Sequence, residues 1–293
     1  MLFNKLELSE LEIIRQFYCG SKSRINDNTP GGTVMWRDYF STRYAILNET
    51  LILKVKYMNN LTAFPMPIGK DAAGALKAIE EHCRSQGLKM VLCTLTKEDL
   101  KKLENNYDFE ARKEPMWFDY LYKASDLADL PGKKYNGQRN HINFFKRTYH
   151  DYALKEIGRE NAKDSIELLN KLKARIDSFT PMYEEELVKT LEVLENFDLY
   201  GQIGLALYIE GAVAAFSIGE ILADTLFVHI EKSDALLRGA PQMIATEFVK
   251  MNVGKGIKFV NREEDLGDEG LRRSKLSYHP VEIVEKFTAF IKL

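Results

Sequence analysis

An α/β protein with a mixed sheet, laid down twice along the chain, is the fold this sequence predicts. Strand-like runs alternate with helical ones throughout its 293 residues, a length that suits two ordinary domains or one large one. In each half a meander of three strands precedes a helix and then a further strand. We place the boundary within 125–133, giving domains 1–128 and 129–293. One large mixed-sheet domain without a repeat is the alternative.

The second half carries the clearer pattern. Residues 152–157 read as a short strand. Ile166, Leu169, Leu172 and Ile176 fall at helical spacing over 164–176, and Leu187, Leu191 and Leu194 do so over 184–197. Strands 202–209, 213–220 and 225–230 form the meander, with Gly211 supplying the positive φ of a tight hairpin. A helix over 241–253 follows, with Pro241 in its first turn and Gly254 as its C-terminal cap. Strand 257–261, a short helix (Glu269–Leu276) and a strand over 281–291 close the series. The sheet should be antiparallel early and gain a parallel crossover around the central helix.

The first half repeats this order. Helices are expected over 10–19 and 34–40. Strands 44–47, 51–57 and Leu61–Pro65 make a second meander. Helix Ala72–Gln86 ends at Gly87, and strand 89–94, helix 97–105 and strands 109–111 and 117–122 follow.

Composition narrows the function. Hydrophobic residues at 45% and charged residues at 29% describe a globular chain rather than a disordered one. Lys+Arg 41 against Asp+Glu 43 leaves a net charge of −2, which excludes a globally basic nucleic-acid binder but permits a local basic patch. The charged N-terminus reads as lacking a secretory leader, and the longest charge-free runs, 201–209 and 211–219, are too short to span a bilayer. Cys19, Cys83 and Cys93 lack metal-ligand spacing and suit buried thiols in a reducing cytoplasm.

Four constellations can carry chemistry. Residues 133–150 hold Lys133, Lys134, Arg139, Lys146, Arg147 and two histidines without an acid, interleaved with Tyr135, Phe144, Phe145 and Tyr149. Such a run binds phosphates or a nucleic-acid strand by charge and stacking, although composition alone favours a linker helix with a solvated basic face. On strand 225–231, strict alternation puts Phe227, His229 and Glu231 on one face. The next parallel strand ends at Asn261 and Arg262, so polar groups should gather beyond two carboxyl ends, with His229 or Glu231 as a general base. Arg238, Gly239 and Ala240 precede the central helix, where backbone N–H groups attract an anion. Finally, 261–280 packs Arg262, Glu263, Glu264, Asp265, Arg272, Lys275 and His279 into one turn–helix–turn. Arg272 and Lys275 are neighbours on one helix face, suited to an anionic or ester-bearing substrate.

The run Gly132, Lys133, Lys134, Tyr135, Arg139, Asn140, His141, Ile142, Asn143 and Phe144 resembles a bacterial family related to the phosphatidylglycerol lysyltransferase C-terminal domain. So do the block from Arg262 to Gly267, then Gly270, Leu271, Arg272 and Lys275, and the trio Tyr278, His279, Pro280. The resemblance covers nearly the whole chain. It implies tandem GNAT-type acyltransferase domains, as in Fem-type aminoacyltransferases, and transfer of an aminoacyl group from tRNA, or an acyl group from CoA, to an amine or hydroxyl. Arg272 and Lys275 match its Arg-x-x-Lys, which implies oxyanion stabilisation. Lys133, Lys134 and Arg139 match its basic run, which implies a hold on a tRNA end or a pyrophosphate. Asn143, Arg238, Asn261, Arg262, Asp265 and His279 are further substrate-site candidates.

The sequence departs from CoA-using relatives of the fold. Aligning Gly239 with the first glycine of Arg/Gln-x-x-Gly-x-Gly/Ala puts Leu236 and Pro241 at the other signature positions, and proline removes an N–H from the phosphate cradle. The long membrane-embedded region of the lysyltransferase is also missing. The expectation is therefore a cytoplasmic aminoacyl-tRNA-dependent transferase acting on a small-molecule or peptide amine or a hydroxyl, with no covalently bound cofactor and no metal. Peripheral membrane contact stays open. A CoA-dependent N-acetyltransferase and a non-catalytic binding protein are the alternatives, and the N-terminal half is expected to wall the cleft.

Overall fold

The computed structural model describes residues 1–57, 60–175 and 180–293. Two compact units emerge. The first comprises Met1–Asp119, Glu264–Gly267 and Val284–Leu293, and the second comprises Tyr120–Glu263 and Asp268–Ile283. The division thus falls ahead of the expected 128/129 boundary, and the first unit takes back two late segments.

In the first unit the strands are β1 (Asn4–Lys5), β2 (Arg43–Leu47), β3 (Thr50–Tyr57), β4 (Leu61–Pro65), β5 (Ile68–Gly69), β6 (Val91–Leu95) and β7 (Phe109–Lys113). Its helices are α1 (Leu11–Tyr18), α2 (Pro30–Met35), α3 (Ala72–Gln86) and α4 (Lys97–Glu104). β2, β3 and β4 form the expected antiparallel meander; after α3 the chain returns as β6, parallel to β4 through Phe64 and Leu92. Helix α3 matches its expected span because both ends are signalled. The Asp71 carboxylate accepts from the Gly74 N–H, and Gly87 closes the helix at φ 63°. Helix α2 starts earlier than expected, since Thr29 caps it through the Gly32 N–H and Pro30 fills its first turn. Cys83 and Cys93 are buried as expected, but Cys19 is exposed just past the end of α1.

The second unit continues with β8 (Asp119–Lys123), whose first residue belongs to the first unit, then α5 (Ala124–Asp129), α6 (Asn136–Thr148) and β9 (Tyr152–Glu156). Next come α7 (Ala162–Lys173), α8 (Pro181–Glu195) and α9 (Phe197–Tyr200). Ile176, expected in α7, lies outside the described residues. The meander is β10 (Ile203–Ile209), β11 (Ala212–Leu222) and β12 (Thr225–Ser233), and Glu210 and Gly211 turn its first hairpin at φ 50° and 80°. α10 (Ala240–Val253) carries the chain to β13 (Phe259–Asn261), parallel to β12; α11 (Glu269–Leu276) and β14 (Glu282–Val284) follow. Leu226 and Val228 pack beneath α10 with Met243, Ile244 and Phe248 in the core of this unit.

The expected last strand, 281–291, is two strands. β14 pairs in the second sheet, while Phe287–Ile291 (β15) lies between β6 and β7 in the first. Correspondingly, the strand beside β13 is β8, from the early half of the sequence. Meander, helix and parallel return therefore occur twice, and each sheet is completed by a strand from the other half of the sequence.

Candidate functional site

The candidate site of the second unit is built on the ends of β12 and β13. Ile218 pairs with Ile230 but Gly219 pairs with Val228, so His229 is an extra residue in a β-bulge. A Cβ at Gly219 would stand 2.0 Å from the Phe227 carbonyl oxygen, so only glycine fits there. The bulge breaks the strict alternation expected along 225–231. It leaves His229 fully enclosed, with Nε2 2.8 Å from Glu220 and Nδ1 2.9 Å from Glu263.

Burial alone would lower the His229 pKa. Hydrogen bonds to the two carboxylates, and their charges, more than reverse this and lift it to about 10. At neutral pH the ring is an imidazolium with both N–H groups committed. The expected general base is therefore a buried cation that locks β11 and β12 to the segment after β13. Glu220, which sequence reasoning missed, became its partner only through the bulge.

Beside this clamp, the Glu231 carboxylate accepts from Arg262 Nη2 at 2.7 Å, and the Arg262 guanidinium lies 4.8 Å from the Tyr278 ring centroid. Glu231 is thus an ion-pair partner in this arrangement, not an open base. Lys275 donates to the Arg262 carbonyl at 2.6 Å and lies 5.8 Å from the Tyr120 ring. Tyr122 donates to the Lys275 carbonyl at 2.9 Å, tying α11 to β8. Arg272, three residues earlier on α11, is half-buried. Asn261 is buried and accepts from the Glu263 N–H at 2.7 Å. Burial pushes the Tyr278 phenol up to about 12, so it stays a neutral wall.

The other candidates separate. His279 contacts the Lys134 carbonyl at 3.2 Å and meets the Tyr135 ring edge-on, while Lys134 pairs with Asp126 and Lys133 is exposed. Arg139 turns back to the Leu130 carbonyl and the Asn136 side chain. Asp265 belongs to the first unit, where it accepts from the Gly267 N–H at 2.8 Å. Neither Arg139 nor Asp265 adds to the strand-end group.

Two motifs far apart in sequence do meet. Asn140, Asn143, Phe144, Lys146 and Arg147 of α6 line an open depression of about 510 Å³ together with Arg238. The Arg238 guanidinium lies 4.4 Å from the centroid of the Phe144 ring. Gly239 makes this possible: at φ 90° it is left-handed, and a Cβ would stand 2.4 Å from the His141 carbonyl oxygen. The backbone of α6 therefore rests on the first turn of α10, where Gly239 and Ala240 are buried. The basic run is thus a helix, as its plainer reading had it, and that helix presents its cations beside Arg238.

Fold and site together define a mixed α/β protein in which meander, helix and parallel return occur twice. The model of the phosphatidylglycerol lysyltransferase C-terminal family matches residues 21–290, and the chain belongs to that family. A conserved protein of unknown function from Bacteroides thetaiotaomicron is 31% identical and superposes with a TM-score of 0.88 over 99% of both chains. L-PGS from Bacillus licheniformis shares the fold at 15% identity and a TM-score of 0.70, covering 99% of this chain and 93% of that one. FemX does so at 10% identity and a TM-score of 0.65, covering 100% and 98%. An uncharacterised protein of Mycoplasmoides gallisepticum is 26% identical over 194 residues, 66% of this chain, and the chain spans 62% of that relative's length. Among the described residues no helix is long and apolar enough to cross a membrane.

Proposed function

We propose that the chain transfers an aminoacyl group from aminoacyl-tRNA to an amine or hydroxyl acceptor in the cytoplasm. The observation that carries this reading is the seating of α6 on Gly239. A CoA pyrophosphate would need an open entry to the helix after the meander, and here Gly239 and Ala240 at that entry are buried, with the His141 carbonyl against Gly239. The same contact builds the basic depression of Lys146, Arg147 and Arg238, with Phe144 as a stacking surface for a single-stranded nucleic-acid end.

In the transfer step the acceptor nitrogen or oxygen attacks the ester carbonyl of the charged tRNA. The new C–N or C–O bond forms as the bond to the terminal ribose oxygen breaks, and the acceptor's proton leaves with that oxygen. Arg272 and Lys275 are assigned to the oxyanion of the intermediate, the role that their match to the family's Arg-x-x-Lys implies.

The test is an equilibrium titration with bulk aminoacylated tRNA, with and without excess acetyl-CoA. Saturable binding that acetyl-CoA does not displace is expected. Binding of acetyl-CoA without tRNA would overturn the reading. In a transfer assay, Arg272→Ala and Lys275→Met should each lower the rate roughly 10²–10³-fold, the cost of a lost oxyanion donor, with binding of charged tRNA retained. Full transfer in both variants would remove those residues from the mechanism.

A further inference from the structure

The basic depression of the second unit carries more polar structure than a hold on phosphate requires. Asn140, Asn143, Phe144 and Arg147 fall three or four residues apart on α6 and form one stripe, with Lys146 beside it. The buried stripe of the same helix, Gln138, Ile142 and Phe145, lies on the opposite side. A volume of about 510 Å³ is that of a small-molecule site rather than of a single anion.

The polar groups of this lining are uncommitted. The carboxamides of Asn140 and Asn143 are exposed and have no hydrogen-bond partner among the described residues. Lys146 and Arg238 have no carboxylate partner there either, and Arg147 donates only to the Asn143 backbone carbonyl, at 3.3 Å. No acid stands in the lining. Arg238 is exposed and lies over Phe144, and a stacked guanidinium keeps its in-plane N–H groups for an anion while offering its outer face to a base. Cations and stacking platform would serve any nucleotide, but the carboxamides discriminate. A carboxamide presents a donor beside an acceptor, which matches the N6–H and N7 of adenine, whereas guanine shows two acceptors on that edge. Adenine repeats the pattern at N6 and N1, so two carboxamides can both be satisfied by one base.

Building on the nucleic-acid reading of this depression, we infer that it binds an adenine nucleotide, either free or as the end of an RNA. The base lies on the Arg238–Phe144 stack, Asn140 and Asn143 read its polar edges, and Lys146 and Arg147 hold its phosphate. The site lies wholly within the second unit.

The test titrates AMP, GMP, CMP and inorganic phosphate into the full chain by calorimetry. Saturable binding of AMP is expected, about tenfold tighter than GMP or CMP, the worth of one bidentate base contact. Asn140→Ala combined with Asn143→Ala, changes at exposed helix positions, should bring AMP to the affinity of CMP. Binding of CMP and the thermal transition should stay in place, whereas a merely structural role would weaken every nucleotide alike. AMP no tighter than CMP or phosphate would overturn the inference, as would an unchanged preference in the double variant. Short RNAs ending in adenosine or cytidine identify the source. Tighter binding of the adenosine-ended RNA than of AMP assigns an RNA end, equal binding assigns a free nucleotide, and both outcomes support the adenine site. Adenine preference without binding of charged tRNA would remove the transfer reading alone. Binding of charged tRNA without adenine preference would remove this inference alone.

Discussion

Two buried cations organise the two units in different ways. In the first unit Lys286 sits among Asp27, Asp119 and Glu264; in the second His229 sits between Glu220 and Glu263. Each cation is outnumbered by carboxylates, so each is required in its charged form. The lysine is an obligatory cation. Burial opposes its charge, but the three carboxylates raise its pKa well above the usual value, so no physiological change of pH releases it. The histidine ordinarily titrates near 6.5 and is held charged only by the folded clamp. One arrangement is a fixed fastener, while the other is a fastener whose strength depends on pH.

The largest effect should come from Lys286→Met, which leaves the buried Asp119 and the half-buried Asp27 and Glu264 around an apolar side chain. Breaking a buried ion pair from one side costs about 3–5 kcal/mol, and chemical denaturation should show a loss of that order. A loss under about 1 kcal/mol would mean that water reaches the cluster.

His229→Gln should cost less, about 2–3 kcal/mol at pH 6.5, because the amide still donates to one carboxylate. Its sharper signature is in pH. The folded pKa, about 10, lies above the unfolded value near 6.5. The stabilisation is therefore complete below about pH 6.5 and declines as pH rises towards 10. Stability measured from pH 6.5 to 9.5 should fall in the parent and in Lys286→Met, and fall much less in His229→Gln. Parallel curves for all three would equate the two clamps.

Gly239→Ala should cost about 1–2 kcal/mol through its left-handed φ alone, and the Cβ must also displace α6. The variant should bind charged tRNA more weakly than its stability loss explains, because the basic depression depends on that contact. At the small end, Arg238→Ala should change stability by less than about 0.5 kcal/mol. It should also lower the salt dependence of tRNA binding by about one phosphate contact. An unchanged salt slope would place the nucleic acid elsewhere.

Much of the fold was legible because its signals are local. Helix Ala72–Gln86 declares both caps, and the strands of each meander are separated by turn residues. The site was legible as residue types but not as roles. His229, Glu231 and Arg262 stood out in sequence, yet the bulge that turned His229 onto Glu220 depends on pairing with Gly219, a partner ten residues upstream. The meeting of Arg238 with α6 was hidden for the same reason: Gly239 is needed by a helix about a hundred residues earlier. The division of 281–291 into two strands also escaped the pattern, because Lys286 between them answers to Asp27 and Asp119. Capping and alternation are written within a few residues; long-range charge pairing is not.

The placement of β15 has a consequence for how the protein is made. It occupies the slot between β6 and β7, so the first sheet stays open until residues 287–291 have been synthesised. At ordinary translation rates of ~5–20 residues per second, the first unit waits roughly 9–36 seconds after β7 for its missing strand. During that interval two strand edges lack their partner strand, and Asp27 and Asp119 lack the Lys286 ammonium. A ribosome that stalls late in the message therefore releases a chain with an incomplete first unit, exposed to proteases and to other unpaired edges.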